Sequence, residues 1–240
     1  MINKTEQVFC NGDCFELLPK IYKENSFDLI LVDPPYMINY VKWDKKFNIE
    51  FLSSEFYRIL KPNGNLIFFA GWSNVCEVIN KFDKRFILND WIIYDRIKGR
   101  GAKRKLVSTR EDILWFIKSK DYTFNKLSST IKKKTKGMGI KNGDEFRKLS
   151  NVWTDISPIV PWSKERVNHP TQKPLQLIER IIEIFSNEYD TVLDCFMGSG
   201  TTLIACKNLN RNCCGIDINN DYCNIATERL KRTQRGGEKL

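Results

Sequence analysis

The chain has 240 residues, 42% of them hydrophobic, which is enough for one well-packed domain with a large insertion or for two small domains. No apolar run approaches the ~20 residues of a membrane helix and no signal-peptide pattern opens the chain, so we expect a cytoplasmic protein that does not enter a membrane. The eight cysteines include no C-x-x-C pair and the chain has one histidine, so we predict reduced thiols and no metal site.

The net charge is +10, and the positive excess is confined to one segment. Residues 96–148 hold 17 Lys and Arg against 5 Asp and Glu, which leaves the rest of the chain slightly acidic. Such a segment is typical of a polyanion-binding protein, because lysine and arginine neutralise phosphates. A single lysine run would indicate only a solvated surface, but a basic stretch of this length predicts a nucleic-acid partner.

Alternating strands and helices are predicted for residues 7–118. The stretch FDLILV is the kind of apolar segment that forms a strand in a parallel sheet, and KPNG is a helix stop signal. The predicted strands are 7–11, 27–32, 65–71, 91–97 and 111–118, and the predicted helices lie near 14–24, 49–60 and 73–82.

Regular alternation returns at residue 174, after a basic stretch at about 121–166 that is rich in Ser, Asn and Gly and hard to assign. The predicted elements are a helix over 174–186, a strand over 191–196, a helix over 201–209, a strand over 212–218 and a helix over 220–232. Alternation of this kind predicts a mostly parallel sheet covered by helices on both faces. Ligands of such sheets bind beyond the carboxyl ends of the strands.

The stretch LDCFMGSGTT carries a glycine turn between a predicted strand and a predicted helix. Gly198 and Gly200 allow the backbone to pass close to a ligand, and the helix start at Thr201 offers free N–H groups. About twenty residues later, Asp217 ends the next strand, where an acid accepts hydrogen bonds from ribose hydroxyls. This half therefore predicts an adenosine-containing cofactor. The full G-x-G-x-x-G and the Walker loop are absent, which argues against NAD and ATP.

The sequence DPPY follows the predicted strand 27–32 directly. The two prolines fix the backbone, so that Asp33 and the Pro34 carbonyl can accept hydrogen bonds from an amino group. Tyr36 offers a flat face on which a ring can stack. A plain strand-ending turn would also use Asp-Pro, but its pairing with the glycine turn favours a pocket for a heterocycle that carries an exocyclic NH₂ group.

Together these motifs resemble the beta group of the amino-methylating DNA methyltransferases, which use S-adenosylmethionine. DPPY is similar to the catalytic motif of that family and FMGSG to its cofactor motif. NHPTQKPLQLIERII resembles the segment that precedes the cofactor motif, and NGDCFELL resembles the N-terminal segment whose acid, here Asp13, approaches the adenine of the cofactor. The resemblance spans nearly the whole chain, and the order with the catalytic motif first is that of the beta group.

The resemblance implies an α/β fold, namely the Rossmann-like S-adenosylmethionine-dependent methyltransferase fold with a seven-stranded, mostly parallel sheet in permuted order. The strand 191–195 would be central, with 213–217 and then the strand near Val8 on one side and 27–32 on the other. Strands near 91–95 and 111–117 would form an antiparallel edge. We expect residues 1–117 to form the catalytic half, 118–165 a basic target-recognition insertion and 166–240 the cofactor half of one domain.

The resemblance and the motifs assign roles to individual residues. The catalytic residues are expected to be Asp33, Pro34, Pro35 and Tyr36. The residues expected at the cofactor are Asp13, Cys14, Asp33, His169, Thr171, Lys173, Asp194, Phe196, Gly198, Ser199, Gly200, Thr201 and Asp217. The basic residues expected to hold the DNA backbone are Lys98, Arg100, Lys103, Arg104, Lys105, Lys132, Lys133, Lys134 and Lys136.

The function implied by the resemblance is site-specific methylation of adenine N6 in DNA, on a base flipped out of the duplex. Cytosine N4 in DNA and adenine N6 in RNA remain alternatives, as does a non-catalytic nucleic-acid-binding module on the same fold. A cytosine-C5 enzyme fits poorly, because no Pro-Cys pair occurs in the chain. A homodimer and a cognate restriction enzyme are possible partners.

Overall fold

The computed structural model describes residues 5–36, 46–100, 104, 106–132 and 146–235. The strands in this part are β1 (Gln7–Asn11), β2 (Phe27–Val32), β3 (Leu60–Ala70), β4 (Ile87–Arg100), β5 (Ser108–Ile117), β6 (Ser128–Lys132), β7 (Phe146–Lys148), β8 (Val152–Trp153), β9 (Thr191–Asp194) and β10 (Asn212–Asp217). The helices are α1 (Cys14–Ile21), α2 (Ile49–Ile59), α3 (Val75–Phe82), α4 (Leu175–Phe185), α5 (Thr201–Asn208) and α6 (Asn220–Arg235).

The main sheet has the strand order β1-β10-β9-β2-β3-β5-β4-β8. Its first five strands pair in parallel, and β5 runs antiparallel to both of its neighbours, β3 and β4. The predicted central position of β9, its flanking strands and the antiparallel edge are therefore confirmed. Since parallel strands present their carboxyl ends at one edge, the tips after β2, β9 and β10 all face the same side of the sheet.

One strand was missing from the predicted seven-stranded sheet. The two-residue strand β8 pairs in parallel with β4, opposite Ile93 and Tyr94, and makes this sheet eight-stranded. Trp153 is 2% exposed, its indole N–H donates to the Ser150 carbonyl, and the Arg180 guanidinium lies over its ring. A pair of residues is too short to show the period-two pattern from which strands are predicted.

The helices cover the sheet on both faces, as predicted, and the alternation along β2 shows how. Leu29 and Leu31 are buried in the cluster that contains α4 and α5, whereas Ile30 and Val32 are buried in the cluster that contains α1, α2 and α3. Successive side chains of a strand point to opposite faces, so each face of β2 requires apolar residues. This explains the FDLILV composition that marked the strand in the sequence.

The described ends of the range 118–165 pack on the main sheet. The Asn65 side-chain amide donates to the Thr123 carbonyl, and the Asn125 N–H donates to the Ile184 carbonyl at the end of α4. At the other end, Ile156 is fully buried in the core under α4. Between these anchors, β6 and β7 form a separate antiparallel pair. No helix in the described part of the chain is long and apolar enough to cross a membrane.

Candidate active site

A cavity of about 520 Å³ opens at the carboxyl ends of β2, β9 and β10. Its volume is in the range of small-molecule sites. Of the residues predicted at the cofactor, all but Gly200 line it: Asp13, Cys14, Asp33, His169, Thr171, Lys173, Asp194, Phe196, Gly198, Ser199, Thr201 and Asp217. Of the predicted catalytic residues, Asp33 and Pro35 line the cavity, and Pro34 and Tyr36 do not. Pro34 is buried and Tyr36 is half-buried.

Both glycines of the turn after β9 are required by its geometry. Gly198 has φ +50°, and a Cβ there would lie 2.8 Å from Nε2 of His169. Gly200 has φ +77° and lies beside Ala226 of α6, whose Cβ would be 2.7 Å from an added Cβ. Gly200 is therefore the residue before α5 that lets this helix pack on α6, and it does not line the cavity. Gly198 is required because the His169 ring occupies the space into which a side chain would project.

Two acids hold this turn through backbone N–H groups. Asp217 accepts from the Gly198 N–H at 2.8 Å and from the Asn219 N–H at 2.8 Å. Asp194 accepts from the Phe196 N–H and, at 2.5 Å, from the Thr202 hydroxyl. Burial raises the pKa of Asp217, and burial raises the pKa of Asp194 to about 7. Each carboxylate oxygen keeps a second lone pair for a ligand in the cavity.

Aromatic rings form the wall on the α1 side of the cavity. The Phe47 ring lies between Phe15 and Phe196, with centroids 6.2 and 5.9 Å away. Asp13 accepts a hydrogen bond from the Phe15 N–H and so caps α1 at this wall. Phe15 and Phe47 were not predicted as site residues, because isolated phenylalanines in a sequence read as core. The rings and the capped acid together suit a flat heterocycle.

His169 and Tyr222 also line the cavity and contact each other. Their ring centroids are 4.4 Å apart, and burial lowers the pKa of His169 to about 4, so the imidazole is neutral at pH 7. The neighbouring Gln172 also lines the cavity, and its side chain accepts from the Val167 N–H and donates to the Glu165 carbonyl. Gln172 thereby shapes the loop that carries His169.

Arg229 of α6 is a buried charge that the sequence did not reveal. Its guanidinium donates to the Ser199 carbonyl at 2.8 Å, to the Ser199 hydroxyl and to the Thr201 hydroxyl. Burial lowers the pKa of Arg229 to about 10, which still leaves it charged at pH 7. It fixes the glycine turn from below. An arginine within a helix resembles any solvated residue, so no local signal marked it.

Asp33 stands at the junction between this cavity and the DPPY turn. The Tyr36 hydroxyl donates to its Oδ1 at 2.9 Å, and the Lys173 ammonium donates to its Oδ2 at 2.5 Å. Gly71, at the end of the neighbouring strand β3, packs on Tyr36, where an added Cβ would lie 3.1 Å from the Tyr36 Cβ. The turn thus holds the acid and the aromatic ring together, as the sequence predicted.

Lys173 and Glu111 complete a charged cluster around Asp33. Lys173 was predicted at the cofactor and does line the cavity, but its ammonium also lies 3.1 Å from Oε2 of Glu111. Burial raises the pKa of Asp33, against the opposing effect of Lys173. Burial by itself would lower the pKa of Lys173, but Asp33 and Glu111 outweigh it and raise that pKa. Glu111 is on β5 and was not predicted as a site residue.

These features fit S-adenosylmethionine. The aromatic wall and Asp13 suit its adenine, Asp217 suits its ribose hydroxyls, and Gly198 presents bare backbone to the cavity. Asp33 and Asp194 line the cavity with carboxyl groups, whose ionised forms complement a sulfonium. Of the described residues, no group of three or more His, Cys, Asp or Glu could hold a metal ion.

The chain is similar to known proteins in both sequence and structure. The family model described as "DNA methylase" matches residues 27–228. The chain belongs to the DNA methylase family. The type II methyltransferase M.HpaI of Haemophilus parainfluenzae is 39% identical over 92% of this chain and 73% of its own length. The DNA adenine methyltransferase YhdJ of Escherichia coli is 34% identical over 92% of this chain and 81% of its own. The crystal structure of the M1.HpyAVI–SAM complex superposes with a TM-score of 0.69 at 31% identity, covering 93% of this chain and 100% of the other.

These matches confirm the amino-methylating DNA methyltransferase family, the fold class and S-adenosylmethionine as the cofactor, all predicted from the sequence. This protein is therefore a methyltransferase that acts on DNA.

The basic residues predicted to hold DNA fall mostly outside the described part of this DNA methylase. Arg104 is described and exposed. Lys98, Arg100 and Lys132 lie in β4 and β6, where only the backbone is described. Lys103, Lys105, Lys133, Lys134 and Lys136 lie outside the described residues. Their contact with DNA stays a prediction.

Proposed function

We propose that this DNA methylase transfers a methyl group from S-adenosylmethionine to N6 of adenine at a specific DNA sequence. The observation that carries the proposal is the position of Asp33, which lines the cofactor cavity and is hydrogen-bonded to the stacking residue of DPPY, Tyr36. One side chain thus faces both the methyl donor and the base. The name of YhdJ, a DNA adenine methyltransferase, supports adenine as the base.

The chain's own residues orient and polarise the target amino group. Asp33 and the Pro34 carbonyl accept hydrogen bonds from the two N–H groups of the amino group, which frees the nitrogen lone pair from the ring. Tyr36 stacks on the base. Burial raises the pKa of Tyr36, followed by the effects of Asp33 and Glu111, so its hydroxyl keeps the proton that it donates to Asp33. S-adenosylmethionine supplies an electrophilic methyl on a positively charged sulfur. Orientation and charge complementarity provide the rate enhancement.

The target base must leave the duplex to reach Asp33, since pairing hides its amino group. We propose that the basic stretches 98–105 and 131–141 grip the phosphate backbone, while target recognition comes from the range 118–165. The positive charge of the basic stretches supports the contact with phosphates. Such contacts position a protein on DNA without specifying sequence. The contacts that the described ends of the range 118–165 make with β3 and β4 support this proposal.

A cytoplasmic location, a homodimer and a cognate restriction enzyme also belong to the proposal. The type II methyltransferase named among the relatives supports the last of these. The homodimer follows from the resemblance to the beta group.

The proposal is tested by incubating the protein with radiolabelled S-adenosylmethionine and unmethylated plasmid DNA or, separately, total RNA. The nucleic acid is then digested and the labelled nucleosides are separated. Label in N6-methyldeoxyadenosine is the expected result. Sequencing of the methylated plasmid then gives the recognition site.

The other outcomes discriminate between the alternatives. Label in N4-methyldeoxycytidine would keep the geometry of the site and change the base. Label in RNA alone would overturn DNA as the partner of the reaction. Cofactor binding without label in any nucleic acid would favour a non-catalytic binding module.

A further inference from the structure

Lys173 occupies the acceptor that Asp33 would offer to the target base. Its Nζ lies 2.5 Å from Asp33 Oδ2, 3.1 Å from Glu111 Oε2 and 3.3 Å from the Tyr36 hydroxyl. The other oxygen of Asp33, Oδ1, already accepts from Tyr36. An incoming amino group would therefore compete with an ammonium, which is the stronger donor because it is charged.

Lys173 cannot give up Asp33 without another counter-charge. Its side chain is 9% exposed, and an unpaired buried ammonium is costly. Glu111 is nearly as buried, at 12%, and already lies within ion-pair distance of the same nitrogen. Asp33 is the more exposed carboxylate, at 24%, as expected of the acid that meets a substrate.

We propose that Glu111 is a positioning residue for methyl transfer, because it holds the Lys173 ammonium when the target amino group takes over Asp33. This inference rests on the proposed function. Lys173 lies at Oδ2 of Asp33, where the amino group would bind. When the base enters, the contact between Lys173 and Asp33 lengthens and the contact between Lys173 and Glu111 carries the charge.

The position of Glu111 suits this role. It lies within the antiparallel edge of the sheet, paired with Tyr94 of β4, so its backbone is fixed. Arg96 lies 3.7 Å from Oε1, the oxygen that faces away from Lys173. Arg96 itself is held by the carbonyls of Ser108 and Thr109. Oε2 of Glu111 faces both the Lys173 ammonium, at 3.1 Å, and the Tyr36 hydroxyl, at 3.3 Å. Glu111 therefore stays within reach of Lys173 whether or not Lys173 remains on Asp33.

The electrostatic surroundings give the inference a pH signature. The groups that face Asp33 are Lys173, Glu111 and Tyr36, with Asp194 beyond them on β9. His169 lies near the charge of Lys173. Arg96 and Tyr94 lie near the charge of Glu111. Among the influences on Asp33, the negative charge of Glu111 raises the pKa of Asp33. Because the ionised form of Asp33 is the acceptor, activity is lost as the pH falls through that pKa.

The test is Glu111→Gln, which keeps the size of the side chain and removes its charge. The substrate is a short duplex that carries the site methylated by the wild type. We expect kcat/KM for this duplex to fall about tenfold or more, with the Kd for S-adenosylmethionine unchanged. We also expect the acid limb of the pH–rate profile to move to lower pH, since Asp33 ionises more readily without Glu111.

A double-mutant cycle tests the link to Lys173. Lys173→Met removes the ammonium, so Glu111→Gln should add little further loss in that background, at saturating S-adenosylmethionine. The matched control is Glu50→Gln, which removes an acid from the surface cluster with Arg85. The control should leave the rate and the pH profile of the wild type in place.

Three results would overturn the inference: wild-type kcat/KM in Glu111→Gln, an acid limb that does not move, or a full additional loss in the Lys173→Met background. A merely structural role would lower the fraction of active enzyme and leave the limb in place. Failure of the proposed function is distinguishable, because it would appear in the wild type as label in another nucleoside or as no label at all.

Discussion

The two strand tips that meet at the cavity are held in different ways. At the cofactor tip, Asp217 accepts from backbone N–H groups, and its partner Gly198 is 19 residues away in the chain. At the catalytic tip, Asp33 is held by side chains, one of them Lys173, 140 residues away. Backbone donors fix one geometry, whereas an ammonium between two carboxylates can change partners. The cofactor tip is thus built in advance, and the catalytic tip is built to respond to the base.

The largest effect that separates the two tips is expected from Asp33→Ala. Without the acceptor the amino group is not polarised, and turnover should fall at least ~1,000-fold. Cofactor affinity should remain within a few-fold of the wild type, because Asp217, Asp194 and the glycine turn are untouched. The measurements are initial rates at saturating S-adenosylmethionine and calorimetric cofactor binding. Asp33→Asn keeps an acceptor oxygen, so its turnover should lie between that of the wild type and that of Asp33→Ala. Turnover near that of the wild type in Asp33→Ala would disprove the assignment of Asp33 as the acceptor.

A pair of glycine substitutions should separate binding from chemistry. In Gly198→Ala the new methyl meets His169 at positive φ, so we expect the Kd for S-adenosylmethionine to rise about 10- to 100-fold. In Gly71→Ala the new methyl presses on Tyr36, so we expect kcat to fall several-fold with the Kd unchanged. Equal changes of Kd in both variants would show that the tips are not independent.

The rigidity of the cofactor tip is tested by Arg229→Met. The substitution removes three hydrogen bonds to Ser199 and Thr201 and leaves their oxygens buried. We expect the free energy of unfolding to fall by about 2–4 kcal/mol and the cofactor Kd to rise. Urea denaturation and calorimetry measure the two effects. Arg232→Met, on the exposed face of the same helix, is the control and should change neither.

The smallest expected effect is the pH dependence that Asp194 gives to the stability of the folded protein. Burial raises its pKa to about 7 in the folded chain, whereas an unfolded Asp titrates near 4, so the folded state binds the proton more tightly. Relative to Asp194→Asn, the wild type should therefore be most stable below about pH 4 and lose stability as the pH rises through 7, by about 2 kcal/mol between pH 5 and 7. Denaturation of both proteins without cofactor at several pH values measures the difference. A constant difference across this range would show that Asp194 is not the titrating group.

What the sequence reveals follows the same division between the tips. The glycine turn, Asp217 and DPPY are local patterns, because the elements that place them are adjacent in the chain. Glu111 and Arg229 cannot be recognised from local sequence patterns. A glutamate on a strand and an arginine on a helix acquire their partners only through the packing of distant elements. Lys173 was placed at the cavity from the resemblance, but its ion pair with Asp33 depends on contacts across most of the chain.

The two-residue strand β8 has a consequence for how this protein can diversify. Asn125 is tied to the end of α4, and Val152 is tied to β4, so the chain leaves and re-enters the core at fixed points. The described residues next to these points also serve the core, because the Ser150 carbonyl accepts from the Trp153 indole and Leu127 and Leu149 pack against the buried cluster. Because both points of attachment lie outside residues 133–145, we expect the fold to tolerate changes of length and composition there.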